Sequence, residues 1–95
     1  MTLQVEQSRA ETTGLLRLRV AAEPHPSALT RVLALFQNLN VVPRRVIAEF
    51  GTAQTMHVQI DVAGLSEHRL SMIAAKIDQV PCVLNAYWHR AWAPI

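Results

Sequence analysis

The sequence is poor in the residues that usually mark a specialised chain. Cys82 is the one cysteine in 95 residues, so no intrachain disulfide can form and a reducing compartment is expected. Three glycines and five prolines, beside 51% apolar and 17% charged residues, exclude a low-complexity or disordered chain. Charge of one sign is scarce: the formal net charge is +2, and Arg17, Arg19, Arg44 and Arg45 are the only local concentrations of base. Aromatic residues make up 5%, and Phe36, Phe50, Tyr87, Trp88 and Trp92 do not interleave with those arginines. A nucleic-acid platform, which needs basic residues among stacking rings, is therefore not expected. No apolar run approaches the roughly 20 residues that span a bilayer, and MTLQVEQSRAETT has neither the basic start nor the apolar core of an export signal. A cytoplasmic protein without membrane contact is expected.

What is present is periodicity. GLLRLRVAA sets Leu16, Leu18 and Val20 against Arg17 and Arg19, the period of two of a half-buried strand. From Ser27 the spacing changes, and Leu29, Val32, Leu33, Phe36 and Leu39 recur at three and four residues along one side of a helix that Pro26 can only precede or open. The helix should stop around Asn38 to Asn40. VVPRRVIAEF is then read as a second strand, placed at a sheet edge by Pro43, which removes a ladder donor. After a turn at Gly51, Met56, Val58, Ile60 and Val62 alternate with His57, Gln59 and Asp61 in a third strand. Ser66 caps a second helix with Leu65 and Leu70 as its staple, Leu70, Ile73, Ala74 and Ile77 form its buried stripe, and CVLNAYWHR reads as the last strand. Residues 1–13 are read as a flexible arm, 14–90 as one domain and 91–95 as a tail.

Strand, helix, strand, strand, helix, strand is the order of an α+β ferredoxin-like βαββαβ domain, a four-stranded antiparallel sheet with two helices on one face. Arg17, Arg19, His57, Gln59 and Asp61 then share the uncovered face, and the edge strand is free to pair, so assembly is expected. Two large cations at i and i+2 on a central strand need something opposite, with Asp61 and Glu49 as candidates. The competing readings are an ordinary solvated face and a surface that steers an acidic partner. Trp88, Trp92 and Ile95 place three large apolar groups near the end of the chain, either as interface anchors or packed back on the domain. Arg17, Arg19, His57, Trp88 and Trp92 are thus the candidate partner interface.

Nothing assembles a catalytic or metal site. His25, His57, His68 and His89 lack the short spacing of zinc ligands, and Cys82, after Pro81 at the head of an apolar strand, reads as a small buried hydrophobe. Acylphosphatase-like domains share the strand order, but EPHPS offers neither glycine nor arginine for a phosphate cradle. Glu23, Glu49 and Asp61 fall on different elements. No catalytic residue, metal or cofactor is expected.

With that order in place, HPSALTRVLALFQNLNVVPRRVIAEF resembles the regulatory ACT domain, and within it the small subunit of acetohydroxyacid synthase. Ala28, Leu29, Thr30, Arg31, Val32, Leu35 and Phe36 match the family's first helix, and Ile77, Asp78, Val80 and Val83 its second helix and closing strand. The likeness covers residues 14 to 89 and, because no second domain follows, is to the short form of the subunit. It implies a non-catalytic regulatory partner of a thiamine-dependent large catalytic subunit in branched-chain amino-acid synthesis, with a stand-alone homodimeric amino-acid sensor as the alternative. A homodimer is implied by both. It further implies an amino-acid carboxylate received at the turn after strand one, where His25, Ser27, Ala28 and Leu29 lie. The positive end of a helix and its free N–H groups favour an anion there. Ser27 stands where the family has glycine, and Pro24 and Pro26 have no N–H, so weak or absent binding of branched-chain amino acids is expected.

Overall fold

A computed structural model describes residues 15–91. The arm read at 1–13 and most of the tail read at 91–95, Trp92 and Ile95 included, lie outside the described residues. The order is β1 (Leu16–Ala22), α1 (Ala28–Asn38), β2 (Arg45–Phe50), β3 (Met56–Val62), α2 (Glu67–Ile77) and β4 (Val83–Arg90), with a short 3-10 turn at Thr52–Gln54 between β2 and β3. The strands form one antiparallel sheet in the order β2-β3-β1-β4, so the ferredoxin-like βαββαβ architecture is the one observed.

The period-two pattern of β1 decides which face is covered. Leu16, Leu18, Val20 and Ala22 are buried and lie opposite Val62, Ile60, Val58 and Met56 of β3. Val32 and Phe36 of α1 and Leu70, Ile73 and Ile77 of α2 close over them in a single core. Each of those side chains contributes about 1.5–3 kcal/mol on full burial. Both helices therefore sit on one side of the sheet, leaving Arg17, Arg19, His57 and Gln59 on the other.

The two helices start differently. At α2, Ser66 is extended and its hydroxyl accepts from the Arg69 N–H at 3.1 Å, while Leu65 and Leu70 are both buried beside it. At α1, Ser27 is itself helical and makes no side-chain bond to the helix. The end of α1 also departs from expectation. The stretch from Val41 does not join β2: Asn40 turns the chain with a φ of 60°, the Val41 N–H returns to the Phe36 carbonyl at 2.9 Å, and pairing with β3 begins only at Arg45. Asn accepts this left-handed backbone more readily than most residues. Pro43 thus precedes the strand, and β2 is an edge strand as expected.

Candidate functional site

The turn between β1 and α1 is closed by its own hydrogen bonds. The Ser27 N–H donates to Nδ1 of His25 at 3.1 Å, the Ser27 hydroxyl meets the same nitrogen at 2.9 Å, and the Ala28 N–H donates to the His25 carbonyl at 3.0 Å. A ring nitrogen that accepts from a backbone N–H carries no hydrogen, so the hydroxyl donates to it as well. Two of the backbone donors anticipated for a carboxylate are thereby engaged, and Pro24 and Pro26 contribute none. Ala28 is fully buried and Leu29 packs against the core, so neither side chain is displayed in the turn. Beside the turn lies an open hollow of about 370 Å³, lined by Glu23, His25, Ser27, Arg31, Pro81 and Cys82. His25 and Ser27 are brought together there. Arg31 was not anticipated in this role, although its place one helical turn beyond Ser27 carries the signal.

On the helix-free face the expected opposition of charges is realised once. Arg17 lies in register with Asp61, its Nε donating to one carboxylate oxygen at 2.7 Å and its Nη2 to the other at 3.1 Å. This is a side-on, two-bond pairing of the strong charge-assisted kind. The hydrogen bond to Asp61 holds the Arg17 pKa above the ordinary arginine value; burial acts against it, and the carboxylate's charge adds to the rise. Asp61 is 4% exposed, so Arg17 takes the place of much of the water its carboxylate would otherwise bind. Arg19 is held differently, its Nε donating to Nε2 of His89 at 3.0 Å. Arg19 and His57 both line a shallow hollow on this face.

Trp88 stands apart from those residues. It pairs with Leu18 on the helix side, packs half-buried against the core, and its indole N–H donates to the Ser71 hydroxyl on α2 at 2.9 Å. Of the five anticipated interface residues, Arg17, Arg19 and His57 thus share one face, Trp88 occupies the other, and Trp92 lies outside the described residues. A feature that the sequence reading passed over is the apolar rim at β2. Val42 is 84% exposed and Phe50 76%, with half-covered Val46 between them. An open groove of about 450 Å³ runs beside Val42 and Val46, between the end of α1 and the edge strand. Among the described residues no helix is long and apolar enough to cross a membrane, and no group of three or more His, Cys, Asp or Glu could hold a metal ion.

The comparisons agree with this architecture. A family model described as an ACT-like domain matches residues 8–94. Among solved structures, the C-terminal domain of the MgtC protein from Mycobacterium tuberculosis is similar with a TM-score of 0.68 at 17% identity, over 86% of this chain and 92% of that one. The crystal structure of the ACT domain from GTP pyrophosphokinase of Chlorobium tepidum also gives 0.68, at 10% identity, over 80% of this chain and 97% of that one. At these identities the likeness concerns the fold. No curated protein matches the chain.

Proposed function

Since this chain belongs to the ACT-like domain family, whose ACT domains are regulatory and not catalytic, we propose that it regulates by docking on a separate catalytic chain. The acetohydroxyacid synthase large subunit is the partner suggested by the first-helix likeness. The observation that carries docking is the apolar rim at β2, where Phe50 and, just before the strand, Val42 stand exposed, and where the strand's outer edge pairs with no other strand among the described residues. Apolar groups of this size next to backbone donors and acceptors that no described strand takes up suit a protein partner better than water. The engaged donors of the β1–α1 turn favour regulation by association over regulation by a bound amino acid.

A second reading, an amino-acid sensor that works as a homodimer, is favoured by the hollow beside that turn, where Arg31 and Glu23 offer opposite charges. Mixing the full chain with the acetohydroxyacid synthase large subunit of the same organism separates the two. Docking predicts a complex on size exclusion and a rise in turnover with no amino acid added. The reading fails if neither appears. Thermal unfolding with valine, leucine and isoleucine at about 10 mM tests the sensor, since ligand binding to the folded state raises the midpoint by mass action.

A further inference from the structure

The hollow on the helix-free face plays no part in the docking reading, and its construction is specific. Its floor is Ala21, a central-strand residue carrying only a methyl group, in register with His57 on β3 and Asn85 on β4. Longer side chains on every side rise above that methyl and leave a depression of about 280 Å³. This lies just under the usual range of ligand pockets, roughly 300 to 1,000 Å³, and suits only a small ligand.

Two charges line it without meeting. Arg19 is fixed by its Nε bond to His89. Because a guanidinium has no acceptor, Nε2 of His89 must be bare, and the ring's hydrogen sits on Nδ1, which donates to the Arg90 carbonyl at 3.0 Å. A neutral imidazole thus positions Arg19 without neutralising it, and four of its five N–H donors have no partner among the described residues. Glu49 lines the same hollow from β2, two strands away, and makes no ion pair among the described residues. Between them Gln59, Asn85 and Tyr87 supply amide and phenol groups for directional bonds. Every one of these residues is borne on a strand or its end, so their spacing is held by the sheet.

We propose that this hollow binds a small zwitterion, an anionic carboxylate or sulfonate lying on the terminal nitrogens of Arg19 and an ammonium group facing Glu49. Opposite charges on two walls of one small depression, uncompensated among the described residues, match a small molecule that carries both an anion and a cation. The site is separate from the β1–α1 turn and stands or falls independently of the docking partner.

Amide NMR titrations of the full chain test it, with β-alanine and taurine as zwitterions and acetate and methylammonium as their separated halves. Saturable shifts centred on Arg19, Ala21, His57 and Asn85 are expected with one or both zwitterions. Each separated half should bind at least about tenfold more weakly, the loss that one charge-assisted contact carries. Glu49→Gln, on the exposed edge strand, and Arg19→Gln should each weaken the zwitterion by about tenfold, whereas Arg31→Gln in the turn should not. Equal binding of acetate, no saturable shift, shifts centred on residues 25–31, or full affinity in both hollow variants would overturn the proposal. The same spectra show whether each variant is folded, and the zwitterion-against-acetate contrast needs no variant.

Discussion

Arg17 and Arg19 stand two residues apart on one central strand and one face, yet the sheet treats them in opposite ways. Opposite Arg17, β3 presents Asp61, and the two close into a pair with side-chain exposures of 24% and 6%. Opposite Arg19, β3 presents Gln59 and β4 presents Tyr87, and the guanidinium reaches along β4 to a neutral His89 instead. The same residue type is therefore a structural member in one row and an available cation in the next. What differs is only the residue that strand register places across from it.

The comparison is broken most easily at Arg17. Arg17→Met removes the guanidinium from which both carboxylate oxygens of Asp61 accept, leaving a buried carboxylate without that compensation. A loss of about 2–4 kcal/mol in urea unfolding is expected. A loss under about 1 kcal/mol would show that Asp61 is solvated and that the two rows are alike. Asp61→Asn is the milder break, because the amide keeps an acceptor and Arg17, a quarter exposed, can turn to water; about 1–2 kcal/mol is expected. The pH dependence follows from the sign of the Arg17 shift. A raised folded-state value means that its contribution is fully present below the unfolded value and is lost only as pH climbs through the folded one. Between about pH 6 and 9 Arg17 itself therefore adds no slope, and the stability difference between wild type and Arg17→Met should carry none from the arginine.

Gly51→Ala sharpens the comparison from the other row. A Cβ at Gly51 would fall 2.5 Å from Cδ2 of His57, nearer than such atoms approach, so the imidazole that borders the Ala21 hollow must turn aside. Because that ring is an exposed side chain, the expected cost is below about 1 kcal/mol. The informative readout is a changed His57 ring signal by NMR, with the Arg17 row undisturbed. An unchanged His57 signal would place the accommodation in the hairpin backbone, where Ala53 and Gln54 already hold φ of 59° and 53°.

How much of this was legible follows from what periodicity reports. Leu16, Leu18 and Val20 alternating with Arg17 and Arg19 disclosed the buried and open faces of β1, and Asp61 was one of two carboxylates the pattern offered to those arginines. Periodicity says nothing of register. That Asn85 and Tyr87 flank Ala21 and Arg19 depends on the β1–β4 alignment, which shifts between Ala21 and Ala22. The β-branched pair Val41 and Val42 looked like strand, but the return of the Val41 N–H to the helix end claims it first. At the β1–α1 turn, the prolines disclosed missing donors. That His25 would fold back on Ser27 is a choice of side-chain rotamer, set by the turn's geometry and invisible in residue spacing.

The smallest effect expected is also the one that separates the rows most cleanly. Arg19→Gln gives up a single hydrogen bond to a neutral imidazole and buries no orphaned charge, since Nε2 of His89 can turn to water at the open face. Its cost should lie within about 0.5 kcal/mol. His89→Gln, which keeps an acceptor within reach of Arg19, should lie in the same range. Urea unfolding of the two variants beside Arg17→Met measures the contrast directly. If Arg19→Gln proves as costly as Arg17→Met, the guanidinium supports the sheet and the face holds two structural arginines. If it is nearly silent while Arg17→Met is severe, the fold does not need the Arg19 charge, and the two rows differ as their register partners require.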